Sequence, residues 1–485
     1  MFWLKYLHII VISINTILAF YVVFRRKRSV ATAWAWLIIL LIFPILGFIL
    51  YGFFGRGLSQ ENLFAINKQN HIGLRNVQKM IPRFQKRAGK SDTAHKAQVA
   101  IEYFNQNREA PLSKNNEVKL YTDGHEKFRD LMSDIENAKE TINIEYYSFY
   151  NDNIGNQILN LLVKKAQEGI KVHLIYDAWG SFGATSKWFD KLRKAGGEVL
   201  PFITSRNMIL RYRINYHLHR KIVVIDGRIA WTGGFNIGDQ YLGKKKKFGY
   251  WRDTHVRIIG SAALLLQERF VMDWNASITK ISQVITFSEK LFPDLNENEI
   301  TEHNVATQIV ADGPDSELPY MRNGMMRLML LARKRLWIQT PYLIPDDAMI
   351  ATWQIIVKSG VDLRIMIPSK PDHPFIYRAT QWYANQLTKM GIKIYIYDNG
   401  FLHAKTIVGD FDYAVVGSMN QDYRSYSLNF EDMAVFYDSN INNELAQIFE
   451  EDMQNSHLLT IEEIQNQSRY LRSLQSFSRL LSPIL

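Results

Sequence analysis

HLHRKIVVIDGRIAWTGGFN occupies 217–236, and FLHAKTIVGDFDYAVVGSMN occupies 401–420. Both obey one template: His-x-Lys, four residues, Asp, six residues, then Gly, Gly or Ser, one residue and Asn. The first copy supplies His219, Lys221, Asp226 and Asn236; the second supplies His403, Lys405, Asp410 and Asn420. Residues two apart on a strand share a face, so each His is expected to project beside its Lys. The Asp–Gly region turns the chain, and a second strand (IAWTG, AVVGS) returns Asn toward His. One His-x-Lys alone reads as a polar strand face. Two copies of a spaced template read as a site.

Around each motif the same order of elements recurs. In the first half VKLY (118–121) precedes a helix with Phe128, Leu131, Ile135 and Ala138 on one face. The strand TINIEYYSF (141–149), a helix with Ile154, Ile158, Leu161 and Ala166, and the strand VHLIY (172–176) follow. In the second half a helix carries Met325, Leu328 and Leu331. Then come RLWIQTPYLI (335–344), a helix near 347–358, DLRIMIP (362–368), a helix near 376–389 and IKIYIY (392–397). Alternating strands and helices predict an α/β fold with sheets covered on both faces. The duplication predicts two similar α/β/α domains, over 111–290 and 291–485, packed about a pseudo-twofold axis with the motifs meeting between them.

Ahead of these, 6–24 and 29–55 carry no Asp, Glu, Lys or Arg. A helix needs ~20 apolar residues to cross hydrocarbon, so 1–56 is expected to form a transmembrane helical hairpin, with 57–110 as a linker or juxtamembrane segment. Basic residues occur both in the connecting RRKR (25–28) and between Arg56 and Lys90. The positive-inside rule therefore pulls both ways, and the main body is assigned to the cytoplasmic side of the cell membrane. Over the whole chain of 485 residues the net charge is +11, which favours an anionic partner. The absence of Cys excludes disulfides and Cys-ligated metal sites.

Two His, two Lys and two Asn converging on one pocket suit a phosphodiester. Lys offers a point charge and Asn an amide donor to phosphate oxygens. One His can attack phosphorus while the other protonates the leaving alkoxide and later deprotonates the incoming alcohol. No spacing of ligands suggests a metal.

The doubled template resembles the signature of the phospholipase D superfamily. GGFNIGDQYLG with GYWRDTHVRIIG, GSMNQDYRSYSLNFE after the second motif, the two apolar N-terminal runs and the terminal RLLSPIL resemble its bacterial cardiolipin synthases. The resemblance covers essentially the whole chain. It implies two phospholipase D-like domains and a reaction in which two phosphatidylglycerol molecules give cardiolipin and glycerol at a membrane. No cofactor and no nucleic-acid partner is implied. It also implies His219 as nucleophile and His403 as acid/base, with Glu431 orienting His219 and Asp253 orienting His403. Asp226 and Asp410, counted with the catalytic motif, are expected to brace their loops. A water acceptor would make the same fold a phospholipase, a nucleic-acid substrate a nuclease, and loss of a His or Lys an inactive scaffold.

Three further stretches stand out. Lys244 to Lys247 could bind anionic headgroups. RNMILRYRINY (206–216) suits an interface or a buried helix. The tail places Tyr470 or Leu471, Leu474, Phe477 and Leu481 on one helical face, expected to pack into the core. His217, His255 and His373 fall outside the template and are assigned structural roles.

Overall fold

The computed structural model describes residues 2–24, 30–55, 96–108, 110–205, 213, 215–293, 304–410 and 413–482. The strands of the first half are β1 (Asn116–Tyr121), β2 (Thr141–Tyr146), β3 (Lys171–Tyr176), β4 (Glu198–Pro201), β5 (His217–Leu218), β6 (Lys221–Ile225), β7 (Ile229–Gly233), β8 (Trp251–Arg252) and β9 (His255–Gly260). Those of the second half are β10 (Ala306–Asp312), β11 (Arg335–Gln339), β12 (Leu343–Ile344), β13 (Asp362–Pro368), β14 (Lys393–Tyr397), β15 (Phe401–Leu402), β16 (Thr406–Gly409), β17 (Tyr413–Gly417), β18 (Gln421–Asp422), β19 (Asn429–Tyr437) and β20 (Ser456–Leu458).

The sheet orders are β1-β9-β7-β6-β2-β3-β4 and β10-β19-β17-β16-β11-β13-β14-β20. Position for position the second repeats the first and adds β20 at its edge. Helices Gly124–Glu136 and Asn153–Gln167 cover the outer face of the first sheet through Phe128, Leu131, Ile135, Ile154 and Ile158. Helices Ser261–Ser277 and Ser439–Gln454 pack into a shared core between the sheets, with Trp274, Trp337, Ala434 and Phe449. Each lobe thus closes its own outer core, and the central core belongs to both.

Several elements depart from the periodicity reading. The strand expected at 335–344 divides into β11 and β12 around Pro341, which has no N–H for a ladder. His219 and Arg220 lie between β5 and β6, not on one strand with Lys221. The reason is tertiary: β5 pairs with β19 of the other lobe, so the chain must step between sheets before β6 begins. Within the stretch expected as a linker, helix Gln98–Arg108 joins the core of the second lobe through Phe104. A Cβ on Gly324 would lie 2.0 Å from that ring, so only glycine fits there. The C-terminal helix Arg469–Leu480 buries Gln475 and Ser478 and leaves Tyr470, Phe477 and Leu480 exposed. It docks on helix Pro374–Lys389 with Leu471, Leu474 and Leu481 of the expected face half-buried and with polar bonds such as Asn385 to Gln475.

At the N-terminus the first apolar run forms helix Phe2–Phe24. The second is not one helix. Val30–Ile42 breaks at Pro44, before Leu46–Leu50 and a π-helical turn at Tyr51–Gly55. Ala19, Val23, Leu37 and Leu40 pack between the two runs. Among the described residues no helix is long and apolar enough to cross a membrane; in the first helix, side chains are described only from residue 12. The RRKR cluster, the basic residues from Arg56 to Lys90, and 206–212 with residue 214 lie outside the described residues.

Candidate active site

Two reciprocal crossings build the site. β5 pairs in parallel with the start of β19 (His217 with Asn429, Leu218 with Phe430). β15 pairs in parallel with β8 (Phe401 with Trp251, Leu402 with Arg252). The residue after each short strand is the motif histidine. Its backbone is held by the other lobe: His219 N–H donates to the Phe430 carbonyl at 2.8 Å, and His403 N–H to the Arg252 carbonyl at 2.7 Å. The next residue along each partner segment is a carboxylate, within β19 for Glu431 and just past β8 for Asp253. Glu431 follows Phe430 and Asp253 follows Arg252, so the crossing that fixes each imidazole also delivers its acid.

His219 Nδ1 lies 2.8 Å from Glu431 Oε2, and His403 Nδ1 lies 2.6 Å from Asp253 Oδ2. Both carboxylates are fully buried. Burial alone would raise Glu431, but the His219 ring, Lys221 and the Ser418 hydroxyl hold it below the usual carboxylate range. Burial likewise opposes ionisation of Asp253, and His403 and Lys405 overcome it. Burial brings both imidazoles down to about 4 against the pull of their carboxylates. Each ring is therefore neutral near pH 7, with Nδ1–H donated to the carboxylate and Nε2 left with its lone pair.

Lys221 and Lys405 lie fully buried behind the rings. Lys221 Nζ donates to the His219 carbonyl at 2.5 Å. Lys405 Nζ donates to the His403 carbonyl and also lies 2.9 Å from His403 Nδ1. Burial lowers Lys221 to about 8 and Lys405 to about 7.

The single difference between the templates follows from these carboxylates. A Cβ at Gly234 would sit 1.9 Å from Asp253 Oδ1. At the equivalent Ser418 the hydroxyl donates to Glu431 Oε2 at 2.6 Å. Glu431 also accepts from Ser425 at 2.7 Å and Asn429 at 3.2 Å.

Both histidines, Asn236 and Asn420 line one cavity of about 600 Å³ between the lobes. Asn236 donates to the Tyr241 hydroxyl at 3.0 Å and accepts from Ser148 N–H at 3.1 Å. Asn420 Oδ1 is buried without a hydrogen-bond partner. Asp226 and Asp410 do not enter the cavity. Asp226 accepts the N–H groups of Lys139, Glu140 and Thr141 at 2.8–2.9 Å, and Asp410 those of Arg333 and Lys334 at 2.8–2.9 Å. Each motif aspartate thus ties its hairpin to the strand beside it, at the end of the sheet remote from the His.

The cavity also holds residues outside the template. Tyr147 meets the His219 ring edge-on at 5.1 Å between centroids. Arg424, Asp422, Tyr342 and Asp372 share the wall, as do His217 and His373. Arg424, four residues after Asn420, was legible as a basic residue beside the motif; the others carried no spacing signal. His255 is buried behind the site, and neither ring nitrogen has a hydrogen-bond partner. Among the described residues no group of three or more His, Asp or Glu is arranged to hold a metal ion.

The lobes and paired motifs define a phospholipase D-like protein. The solved phosphatidylserine synthase of Haemophilus influenzae Rd KW20 shares this fold, with a TM-score of 0.59, 16% identity, and coverage of 80% of this chain and all of that one. Residues 131–266 and 325–453 match the family described as cardiolipin synthase, PLD-like domain, and 14–56 match a phospholipase D-nuclease N-terminal family. Cardiolipin synthases of Listeria monocytogenes serotype 4a (strain HCC23) and Staphylococcus aureus (strain Mu50) are 44% and 42% identical to it. The alignments cover 99% and 97% of this chain, and 99% and 95% of those proteins. The chain belongs to the cardiolipin synthase family.

Proposed function

We infer that the protein is a phosphatidyltransferase that joins two phosphatidylglycerol molecules into cardiolipin and releases glycerol. The observation that carries this is the pair of imidazoles in one cavity, each bonded through Nδ1 to a carboxylate of the opposite lobe. His219 Nε2 attacks phosphorus, and the bond from phosphorus to the glycerol headgroup oxygen breaks. His403 gives that oxygen its proton. A second phosphatidylglycerol then loses a hydroxyl proton to His403 and attacks the phosphatidyl-histidine, freeing His219. Asn236 and Asn420 line the cavity beside the phosphate oxygens, and Lys221 and Lys405, buried behind the rings, add positive charge from the second rank.

An acid is needed although both rings are neutral in the empty site. The phosphodiester supplies the remedy: its negative charge raises the rings it approaches, so substrate and proton enter together.

The N-terminal 1–56 serves as a membrane hairpin in this reading, with 111–290 and 291–485 as the two catalytic lobes. Helices Phe2–Phe24 and Val30–Ile42 support it, for their outward side chains include Ile17, Tyr21, Phe24, Trp34 and Ile38. Asn15 turns inward and donates to the Leu40 carbonyl at 3.0 Å, as an apolar surrounding requires.

The test is purified full-length protein on phosphatidylglycerol vesicles without nucleotide. Cardiolipin and free glycerol in equal amounts support the reading. Phosphatidic acid as the sole lipid product would instead make the enzyme a hydrolase.

A further inference from the structure

The mouth of the cavity is edged with exposed aromatic side chains. Trp179 and Phe182, in the loop after β3, both reach the cavity yet remain 55% and 86% exposed. Across from them Phe375 is 49% exposed, between His373 and Ile376, which line the same cavity. Singly exposed apolar residues are ordinary; aromatics from both lobes around one opening are a patch with a location. Beside them runs the exposed Lys244 to Lys247, two of whose members, Lys245 and Lys247, also line the opening. Lys247 Nζ reaches across to the Asp372 carbonyl at 3.2 Å, so the basic run bridges both lobes at the rim.

We propose that this rim is a bilayer-docking surface: Trp179, Phe182 and Phe375 enter the interface of an anionic membrane while Lys244 to Lys247 lie against its headgroups. The proposal rests on the lipid-substrate reading. A cavity of about 600 Å³ accommodates headgroups and phosphates but not the acyl chains of two diacyl lipids. Those chains stay in the bilayer, so the mouth must meet the bilayer surface. Aromatic rings settle at that depth because they combine an apolar body with favourable contacts to the headgroup region. Lysines at the same level select an anionic surface over a neutral one. This contact is separate from any anchoring by the N-terminal helices. It sets the depth and tilt of the catalytic lobes.

The chain has no Cys, so one introduced thiol can be labelled alone. Full-length Phe182→Cys and Phe375→Cys carry an environment-sensitive fluorophore. Ile281→Cys is the control, 90% exposed and next to Ser282, which lines a groove with Thr141 and Lys171 at the opposite end of the first sheet. Each is reconstituted into vesicles containing nitroxide-labelled lipids. Several-fold stronger quenching at Phe182 and Phe375 than at Ile281 is expected on phosphatidylglycerol vesicles, weakening on phosphatidylcholine alone or at high salt. Quenching at the rim no greater than at Ile281 overturns the proposal. Equal rim quenching on both lipids overturns its anionic component. Cardiolipin is assayed with unlabelled protein on the same vesicles. Product formed with the rim probes in water sinks this proposal alone; rim probes in the bilayer without product sink the transfer reading alone.

Discussion

At the scale of single residues, the proposed transfer depends on two imidazoles, each held in a defined tautomer by its carboxylate. His219→Ala or His403→Ala should lower transfer by at least ~10²-fold, the ordinary share of a positioned acid or base. Circular dichroism should remain that of the parent. Glu431→Gln and Asp253→Asn keep shape and burial but offer an amide whose NH2 can turn to the ring and favour the tautomer protonated at Nε2. Loss of kcat by at least ~10²-fold is expected, because the wrong tautomer turns Nε2 from acceptor into donor. Retained kcat in either amide variant would contradict the orienting role.

The site's pH dependence has a definite sign. Both rings stand at about 4 and Lys405 at about 7 when the cavity is empty. Binding an anion raises the rings, so binding takes up protons and weakens as pH rises; loss of the Lys405 proton above 7 acts in the same direction. Calorimetry with inorganic phosphate in buffers of different ionisation enthalpy should show proton uptake. An affinity that does not change between pH 6 and 8 would oppose this account.

At the scale of elements, the hairpin joining β6 to β7 shows why the motif contains Asp. Asp226 and Gly227 have φ of +53° and +63°, and Arg228 N–H closes the turn on the Ile225 carbonyl at 3.0 Å. Such a primed turn suits the twist of two paired strands and favours Asp-Gly. Asp226 adds acceptance of three N–H groups at the start of β2. Asp226→Ala should cost about 1–3 kcal/mol in urea unfolding, from orphaned donors and a strained left-handed alanine. Asp226→Asn should recover most of it, with kcat near the parent's. Just past the site end of β7, Gly234→Ser should abolish activity, since its side chain would collide with Asp253.

At the scale of the whole molecule, the lobes are tied by charges buried across their boundary. Arg252 reaches from β8 into the second lobe, where Nε donates to Asp452 Oδ1 at 3.0 Å and Nη2 lies 2.8 Å from Oδ2. Both partners are buried. Arg252→Ala leaves the Asp452 charge buried with no cation and only the Gln339 amide, 2.7 Å from Oδ2, to meet it, and should destabilise by about 3–5 kcal/mol. The exposed pair Lys290–Glu140, cut in the same way, should change stability by about 0–1 kcal/mol. Differential scanning calorimetry on the two variants separates these outcomes.

The sequence by itself determined the duplication, the order of elements, the pairs His219/Lys221 and His403/Lys405, and the turns that follow them. Those properties are local: strand and helix periodicity and turn chemistry act over a few residues and leave a spacing to read. What only the tertiary structure decided is non-local. The two-residue strands β5 and β15 are too short to announce themselves, and each exists because the other lobe supplies its ladder. From that pairing come the break between His219 and Lys221, and the approach of Glu431 and Asp253 across 212 and 150 residues. From it also come the cavity wall of Tyr147, Arg424 and Tyr342, and the need for Gly at 234 where Ser serves at 418. The C-terminal helix makes the same point in reverse. Its apolar stripe was plain, yet only Leu471, Leu474 and Leu481 of it turn partly inward, because the Gln475 amide finds Asn385 on the facing helix and an exposed ring costs little.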